Sequence, residues 1–502
     1  MNKSAGVLLG IVVAVGAISA GGAWYTGTKL EGVLQTSIAD ANKELQAAMV
    51  GSNGTASLEL VSLERNLFSS TARYRLKGQG EMFGDSAEGV ELVFVDRIEH
   101  GPLPFSRLMT LKWLPVMATS HYELEKNALT EKWFAATKDV SPLKGVVNLG
   151  YDRSATGNLE LLPLDTALDD KSTLKFSGLK LDLSTSAQAQ KVKAEGYMDS
   201  LKLNSVAEDQ TPVQVELNGL TLASNLTKSN YGFYVGDNTL ELTSTKATFG
   251  EKQSVLSFKN SQIKSATDEK GAHLAGRADY KISEVALNGK AVGSAQMAWS
   301  MKNLDIASGM SLMQVYQNKL QPYEDAVAAA EAAGEPAPEL NLSEAEQAQV
   351  KADLDKLLAA QPHIALENLS FKTANGESRL SLVVDLNKPQ SMDLPPAELS
   401  KQLLTQLNLN LLLSKPMIAD VAALQAQLDG VTDAKAIADQ GSMAADMVSG
   451  MALGTQLAKL EGNDIVSKVR YANNEVDFNG QKMTPEQFVG FVMSKLGPVT
   501  IQ

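Results

Sequence analysis

The chain has 502 residues, 44% of them apolar, with 58 acids against 45 Lys and Arg, a formal charge of −13, four histidines and no cysteine. Without cysteine there can be no disulfide, thiol nucleophile or thiolate metal site. An acidic chain with no Lys/Arg cluster is also a poor match for nucleic acid, which needs a concentrated basic face.

The first element is the uncharged run "AGVLLGIVVAVGAISAGGAWY" at residues 5–25. As a helix it extends about 30 Å, the thickness of a bilayer's hydrocarbon core. Lys3 supplies a positive flank, so the amino terminus is expected on the cytoplasmic side. A cleaved secretory signal is the competing reading, because Ala17-Ile-Ser-Ala20 offers small residues for cleavage. The length of the run and the interfacial pair Trp24-Tyr25 favour an anchor. Residues 1–27 are therefore read as a cytoplasmic tip and transmembrane anchor. In a two-membrane bacterium this places a single-pass protein in the inner membrane with its body in the periplasm.

Residues 28–54 place Leu30, Val33, Leu34, Ile38 and Leu45 at near-helical spacing and read as a helical stalk, closed by Gly51-Ser-Asn-Gly54. The period then changes to two. Leu58 and Leu60, Tyr74 and Leu76, and Leu92 and Phe94 alternate with polar residues as half-buried strands do. Residues 129–138 predict a helix. Beyond it, "GLKLDLS" from Gly178, "VQVELNGLTL" from Val213, "DYKISEVALNG" from Asp279 and "HIALENLSFKT" from His363 form a loose repeat of alternating strands. Residues 55–304 are thus read as a β-rich periplasmic region.

Residues 305–362 read as a helical insertion, broken by Gly and Pro at 334–338. A second helix opens there on the capping box Ser343/Glu346 and closes before Pro362. Residues 363–502 read as a C-terminal α+β region, its helices expected to break at the strand "LNLNLLLSKPMI", at Gly430 and at Gly441. The expected fold class is α+β and β-rich: an N-terminal transmembrane helix, then an extended antiparallel sheet with inserted and C-terminal helices.

Four motifs invite a chemical reading. His100 in "EHGPLPF" has no partner at zinc-motif spacing, so the stretch reads as a rigid corner made by Gly101, Pro102 and Pro104. Gly78-x-Gly80 with Gly84 has the wrong spacing for a dinucleotide loop. "EVDFNGQKMTPE" matches several positions of a calcium loop. However, Val476 and Phe478 alternate as strand residues do and Lys482 puts a cation inside the loop. A hairpin turning at Asn479-Gly480, followed by a helix capped by Thr484, accounts for more of it. The 58 acids offer no pair that can be chosen without geometry. No catalytic, cofactor-binding or metal residue is nominated, no cofactor is expected, and an enzyme is the least favoured reading.

"GGAWYTG" (21–27), "ERNLFSS" (64–70), "HGPLP" (100–104) and "NGQKMTPEQFVG" (479–490) resemble the YdgA-like family of bacterial envelope proteins of unknown function. The likeness extends over the whole chain. It departs at Asn66, where the family has glycine; Asn is the next residue most tolerant of a left-handed turn. The resemblance implies an inner-membrane anchor, a periplasmic ectodomain and self-association, and it carries no catalytic residues. A more distant likeness of architecture is to the AsmA-like envelope proteins. Two functions are expected from these features. One is a non-enzymatic envelope protein that binds or conducts lipid along an apolar sheet face. The other is a structural or scaffolding protein acting through self-association as a homodimer, with no internal ligand.

Overall fold

The structure, a computed structural model, describes residues 30–48, 54–80, 89–207, 211–334, 336 and 338–496. The expected anchor at 5–25 lies outside these residues. Among the described residues no helix is long and apolar enough to cross a membrane. The chain divides into two compact units, Met1–Gln253 and Ser254–Gln502, so the expected β-rich region contributes to both.

Unit 1 opens with α1 (Leu30–Ala48) and continues with β1 (Gly54–Arg65), β2 (Ser69–Gly80), β3 (Val90–His100), the short α2 (Phe105–Met109), β4 (Ala118–Leu124) and α3 (Glu131–Ala136). Then come β5 (Leu143–Leu149), β6 (Ala155–Leu161), β7 (Leu164–Ala167), β8 (Thr173–Phe176), β9 (Leu179–Thr185), β10 (Lys191–Val206), β11 (Pro212–Lys228) and β12 (Tyr234–Phe249). Strands β1 to β6 pair in chain order, all antiparallel. The hairpin β7–β8 is an excursion: β6 pairs with β9, and the long β10 takes β9 along its first half and β8 along its second before β11 and β12 follow.

Alternation puts Ala72, Tyr74 and Leu76 of β2, Leu92, Phe94 and Ile98 of β3, and Tyr122 and Leu124 of β4 on one buried face. Leu34, Ile38, Ala41 and Leu45 of α1 belong to the same core cluster. The helix expected as a stalk is therefore docked on the sheet. It is fastened by Asn42, whose side-chain amide donates to the Leu58 carbonyl (2.9 Å) and accepts from the Leu58 N–H (2.7 Å), satisfying that residue's backbone on the edge of β1. A sequence shows the apolar stripe of such a helix but not what it faces.

One core position on β3 is polar. Asp96 is 2% exposed, between Ala72 and Tyr122 in the cross-strand register, and accepts from the Ser120 hydroxyl at 2.6 Å. The Tyr74 hydroxyl is buried close by and finds no partner of hydrogen-bond geometry among the described residues. Burial pushes the Asp96 carboxyl up to about 6, against a partial lowering by the nearby hydroxyls of Ser120 and Tyr74.

The corner after β3 is built as a closed loop. The Gly101 N–H donates to the Met117 carbonyl (2.7 Å) and the Val116 N–H to the Pro102 carbonyl (3.0 Å). A Cβ on Gly101 would stand 2.1 Å from the Val116 oxygen and 2.6 Å from that of Met117, so no other residue lets the two ends approach.

Unit 2 contains β13 (Ser254–Lys270), β14 (His273–Leu287), β15 (Lys290–Asp305), α4 (Ile306–Val315), α5 (Gln321–Ala333), α6 (Glu344–Ala359), β16 (His363–Lys372) and β17 (Glu377–Leu386). It continues with α7 (Pro396–Leu403), β18 (Leu404–Ser414), α8 (Lys415–Leu428), α9 (Ala434–Gly454), β19 (Lys459–Glu461), β20 (Asp464–Ala472), β21 (Glu475–Phe478), β22 (Gln481–Met483) and α10 (Pro485–Leu496). The sheet runs β13 to β18, then β20, β21 and β22, with β19 beside the start of β20. The helical insertion leaves the sheet after β15 and returns to pair β16 beside it. Its capping box forms as expected: the Glu346 N–H donates to Ser343 Oγ (3.3 Å) and the Ser343 N–H to the Glu346 carboxylate (2.8 Å).

Gly441 does not break a helix; it lies inside α9. There a Cβ would come 2.7 Å from the Ala419 carbonyl of α8, so the glycine lets the two helices pack closely, and Ala445 and Ser449 continue the small-residue seam. The break expected near Gly430 falls between α8 and α9.

Two outcomes follow from unit 1. The folded pKa of Asp96 lies above its unfolded value, so the folded state holds the proton more tightly. The contribution of Asp96 to stability is fully present below about pH 4 and is lost as pH rises through 6. The rise from 3.8 to about 6 corresponds to about 3 kcal/mol. Asp96→Asn should stabilise the protein at pH 7.5 by more than at pH 4.5, and urea unfolding at both values measures it; equal effects at the two pH values would refute this account. Gly101→Ala should cost about 1–3 kcal/mol through overpacking at the loop base, read in the same unfolding assay at pH 7.5.

Candidate functional site

The motifs singled out in the sequence are placed apart from one another. His100 ends β3, and its Nε2 lies 3.1 Å from Ser70 Oγ; partial burial lowers its pKa. His363 pairs with Asp385 across β16 and β17 at 2.5 Å. Gly78 and Gly80 lie in β2, and Gly84 is outside the described residues. The calcium-like stretch is the β21–β22 hairpin: Lys482 pairs with Glu475 at 2.8 Å, and Asp477 accepts from the Gly480 N–H at 2.9 Å. Thr484 caps α10, its N–H donating to Gln487 Oε1 at 2.9 Å. Among the described residues no group of three or more His, Asp or Glu is placed to hold a metal.

The corner loop does assemble a polar cavity that no spacing in the sequence announces. On the outer face of unit 1 a cavity of about 340 Å³ is lined by Ser106, Arg107, His121, Asn148, Asn158 and Asp182, among others. The Ser106 hydroxyl donates to Glu99 Oε2 at 2.7 Å, and the Ser106 N–H donates to the same oxygen at 3.0 Å. His121 Nε2 sits 3.1 Å from Ser106 Oγ. With its one proton committed to the carboxylate, the serine accepts from the imidazole. This is the reverse of a nucleophile and its base, where the imidazole takes the hydroxyl proton. Arg107 donates to Asn148 Oδ1 (2.9 Å) and to the Leu114 carbonyl (3.0 Å), while its buried Nε finds no acceptor among the described residues. The network fastens the loop to the sheet.

The second feature is the apolar face of unit 2. Register aligns Trp299, Leu366, Leu382, Leu409 and Val469 across β15, β16, β17, β18 and β20 as direct partners, hence on one face. The next row is Met301, Ile364, Val384 and Leu407, and Met297, Leu369, Leu380 and Leu411 form a third. Where α10 lies on this face, Phe488 and Phe491 meet Phe478 at ring separations of 5.4 and 5.7 Å, and Tyr471, Val476 and Phe478 are buried. Away from α10 no residue of the three rows is fully buried, and Ile364 and Leu369 are 47% and 42% exposed. The opposite face is polar, with Arg277 bonded to Asp279 and Ser300 donating to Glu367 at 2.8 Å.

A family model described as a bacterial protein of unknown function, DUF945, matches residues 1–486. The chain is 28% identical to Protein YdgA of Escherichia coli (strain K12), over 99% of this chain and 98% of that one. It is 23% identical to the uncharacterized protein YihF of the same organism, over 96% of this chain and 97% of that one. An uncharacterized protein of Haemophilus influenzae is 25% identical over 58% of this chain and 80% of its own length. No solved structure matches the chain significantly. A match over this length makes the chain a member of the DUF945 family, to which the YdgA-like resemblance pointed.

Proposed function

We propose that the protein is a non-enzymatic envelope protein, held at the bacterial inner membrane by residues 5–25 with its body in the periplasm, that binds lipid along the apolar face of the unit 2 sheet. The carrying observation is the three-row apolar face, which stays half open over β15 to β18 between α10 on one side and α8, bonded through Asp420 to Thr373, at one end. The corresponding face of unit 1 is buried over β1 to β6, where α1 belongs to the core cluster, whereas none of the three rows over β15 to β18 is fully buried. Water-exposed apolar area costs about 25 cal/mol per Å², so an acyl chain laid along the rows gains what the fold leaves unclaimed.

The alternative of self-association draws on a different feature. Met443, Met447 and Met451 form an exposed stripe on α9, 59–70% accessible, of the adaptable kind that suits a protein partner.

A photoreactive phenylalanine analogue placed in turn at Leu382, on the apolar face, at Ser381, on the polar face, and at Met447, on the α9 stripe, separates the two readings in full-length protein in native membranes. Lipid adducts at position 382 and none at 381, identified by mass spectrometry, are the expected result. Absence of lipid at 382, with crosslinks between two copies of the chain from position 447, would replace the lipid reading with the scaffold.

A further inference from the structure

The β1–β2 turn and the loop from 101 to 117 carry an apolar cluster that the lipid-binding face does not include. In the loop, Phe105, Met109, Leu111, Trp113 and Leu114 are each 66–77% exposed; in the turn, Leu67 and Phe68 are 83% and 76% exposed. The two segments are adjacent, because the His100 N–H donates to the Phe68 carbonyl at 2.9 Å. The loop is held in shape by its hydrogen-bonded base at Gly101–Met117 and by the Glu99–Ser106–His121 network beneath it. Isolated exposed apolar residues need no explanation, but seven large ones gathered on one tip do.

Two observations say what covers this tip. The first is where the preceding chain enters. Asn42 of α1 bonds Leu58 of β1, and Gln35 and Ile38 line one cavity with Leu60 and Leu63. The helix thus runs antiparallel to the strand, and its start at Leu30 lies at the end of unit 1 where β1 turns through Leu67 and Phe68. Only residues 26–29 separate Leu30 from the uncharged run at 5–25, and four residues reach at most about 15 Å. The second is charge. In a chain of net charge −13, the loop from 101 to 117 carries Arg107 and Lys112 and no acid. On neighbouring turns at this end Arg65, Arg153 and Lys191 are exposed, against Glu64 and Asp152. An indole, leucines and cations on one surface match the boundary between headgroups and acyl chains, with anionic phospholipid favoured by the cations.

We infer that this tip inserts into the surface of the bilayer beside the amino-terminal segment, as a second membrane contact of unit 1. The inference rests on the reading of residues 5–25 as the anchor. The test uses the full chain in vesicles containing zwitterionic and anionic phospholipid with brominated acyl chains. In one variant only Trp113 is kept, and in a second only Trp24. Loss of most Trp113 emission in brominated relative to unbrominated vesicles, restored by Leu111→Asp with Leu114→Asp while Trp24 stays quenched, is the expected result. Quenched Trp24 with unquenched Trp113 would overturn the insertion and leave the anchor standing. If neither indole is quenched, the anchor reading fails and the insertion with it. Trp113 emission shifted to the blue but insensitive to bromine would mean that protein covers the tip, and would also overturn it.

Discussion

An antiparallel ladder satisfies its interior backbone amides within the plane of the sheet, so its two faces can be covered to different extents. The rest of this structure depends on that freedom. In unit 1 the face over β1 to β6 is spent on a conventional core, with α1 packed into it and Asn42 pairing with the backbone of Leu58 on the edge strand. In unit 2 the same ladder carries three rows of Leu, Met, Ile and Trp that α10 and α8 cover only in part. The proposed lipid site rests on what the ladder of unit 2 leaves uncovered.

The corner that follows β3 illustrates how a fold places function away from motif chemistry. Its glycine and prolines set a closed loop, and the loop's polar residues turn inward to the sheet while its large apolar ones turn out. Glu99, Ser106 and His121 together look like parts of a hydrolase, yet the proton on the serine belongs to the carboxylate, so the cluster holds the loop in shape. Fastening of this kind is what keeps an exposed apolar tip from collapsing onto the nearest surface.

Much of the β architecture was legible from alternation alone, because a strand's inward and outward residues differ in kind and the period of two survives local noise. "GLKLDLS" and "VQVELNGLTL" are β9 and the heart of β11, and the caps at Ser343 and Thr484 form as their sequences imply. What alternation does not encode is which strand lies beside which. The row Trp299–Leu366–Leu382–Leu409 joins residues far apart in the chain, and only the register, with its bulge between Leu366 and Leu369, brings them onto one face. The docking of α1 and the role of Gly441 were hidden for the same reason: each is set by a neighbouring surface, not by local sequence. The polar cavity was invisible because Ser106, His121, Asn148 and Asp182 are ordinary residues until the sheet collects them.

The order of the strands has one more consequence. Within each unit most long strands pair with one close before them in the chain, and hairpins such as β1–β2, β10–β11, β11–β12, β13–β14 and β14–β15 close over short loops. Closing short loops carries little entropic penalty, and contacts local in sequence form quickly. A polypeptide delivered N-terminus first can therefore zip up as it emerges, each new strand meeting a template already in place, and with no cysteine to oxidise it waits for no redox step. A sheet grown in this way shows only one unfinished edge at a time. That limits the interval in which its long apolar strands can find the wrong neighbour.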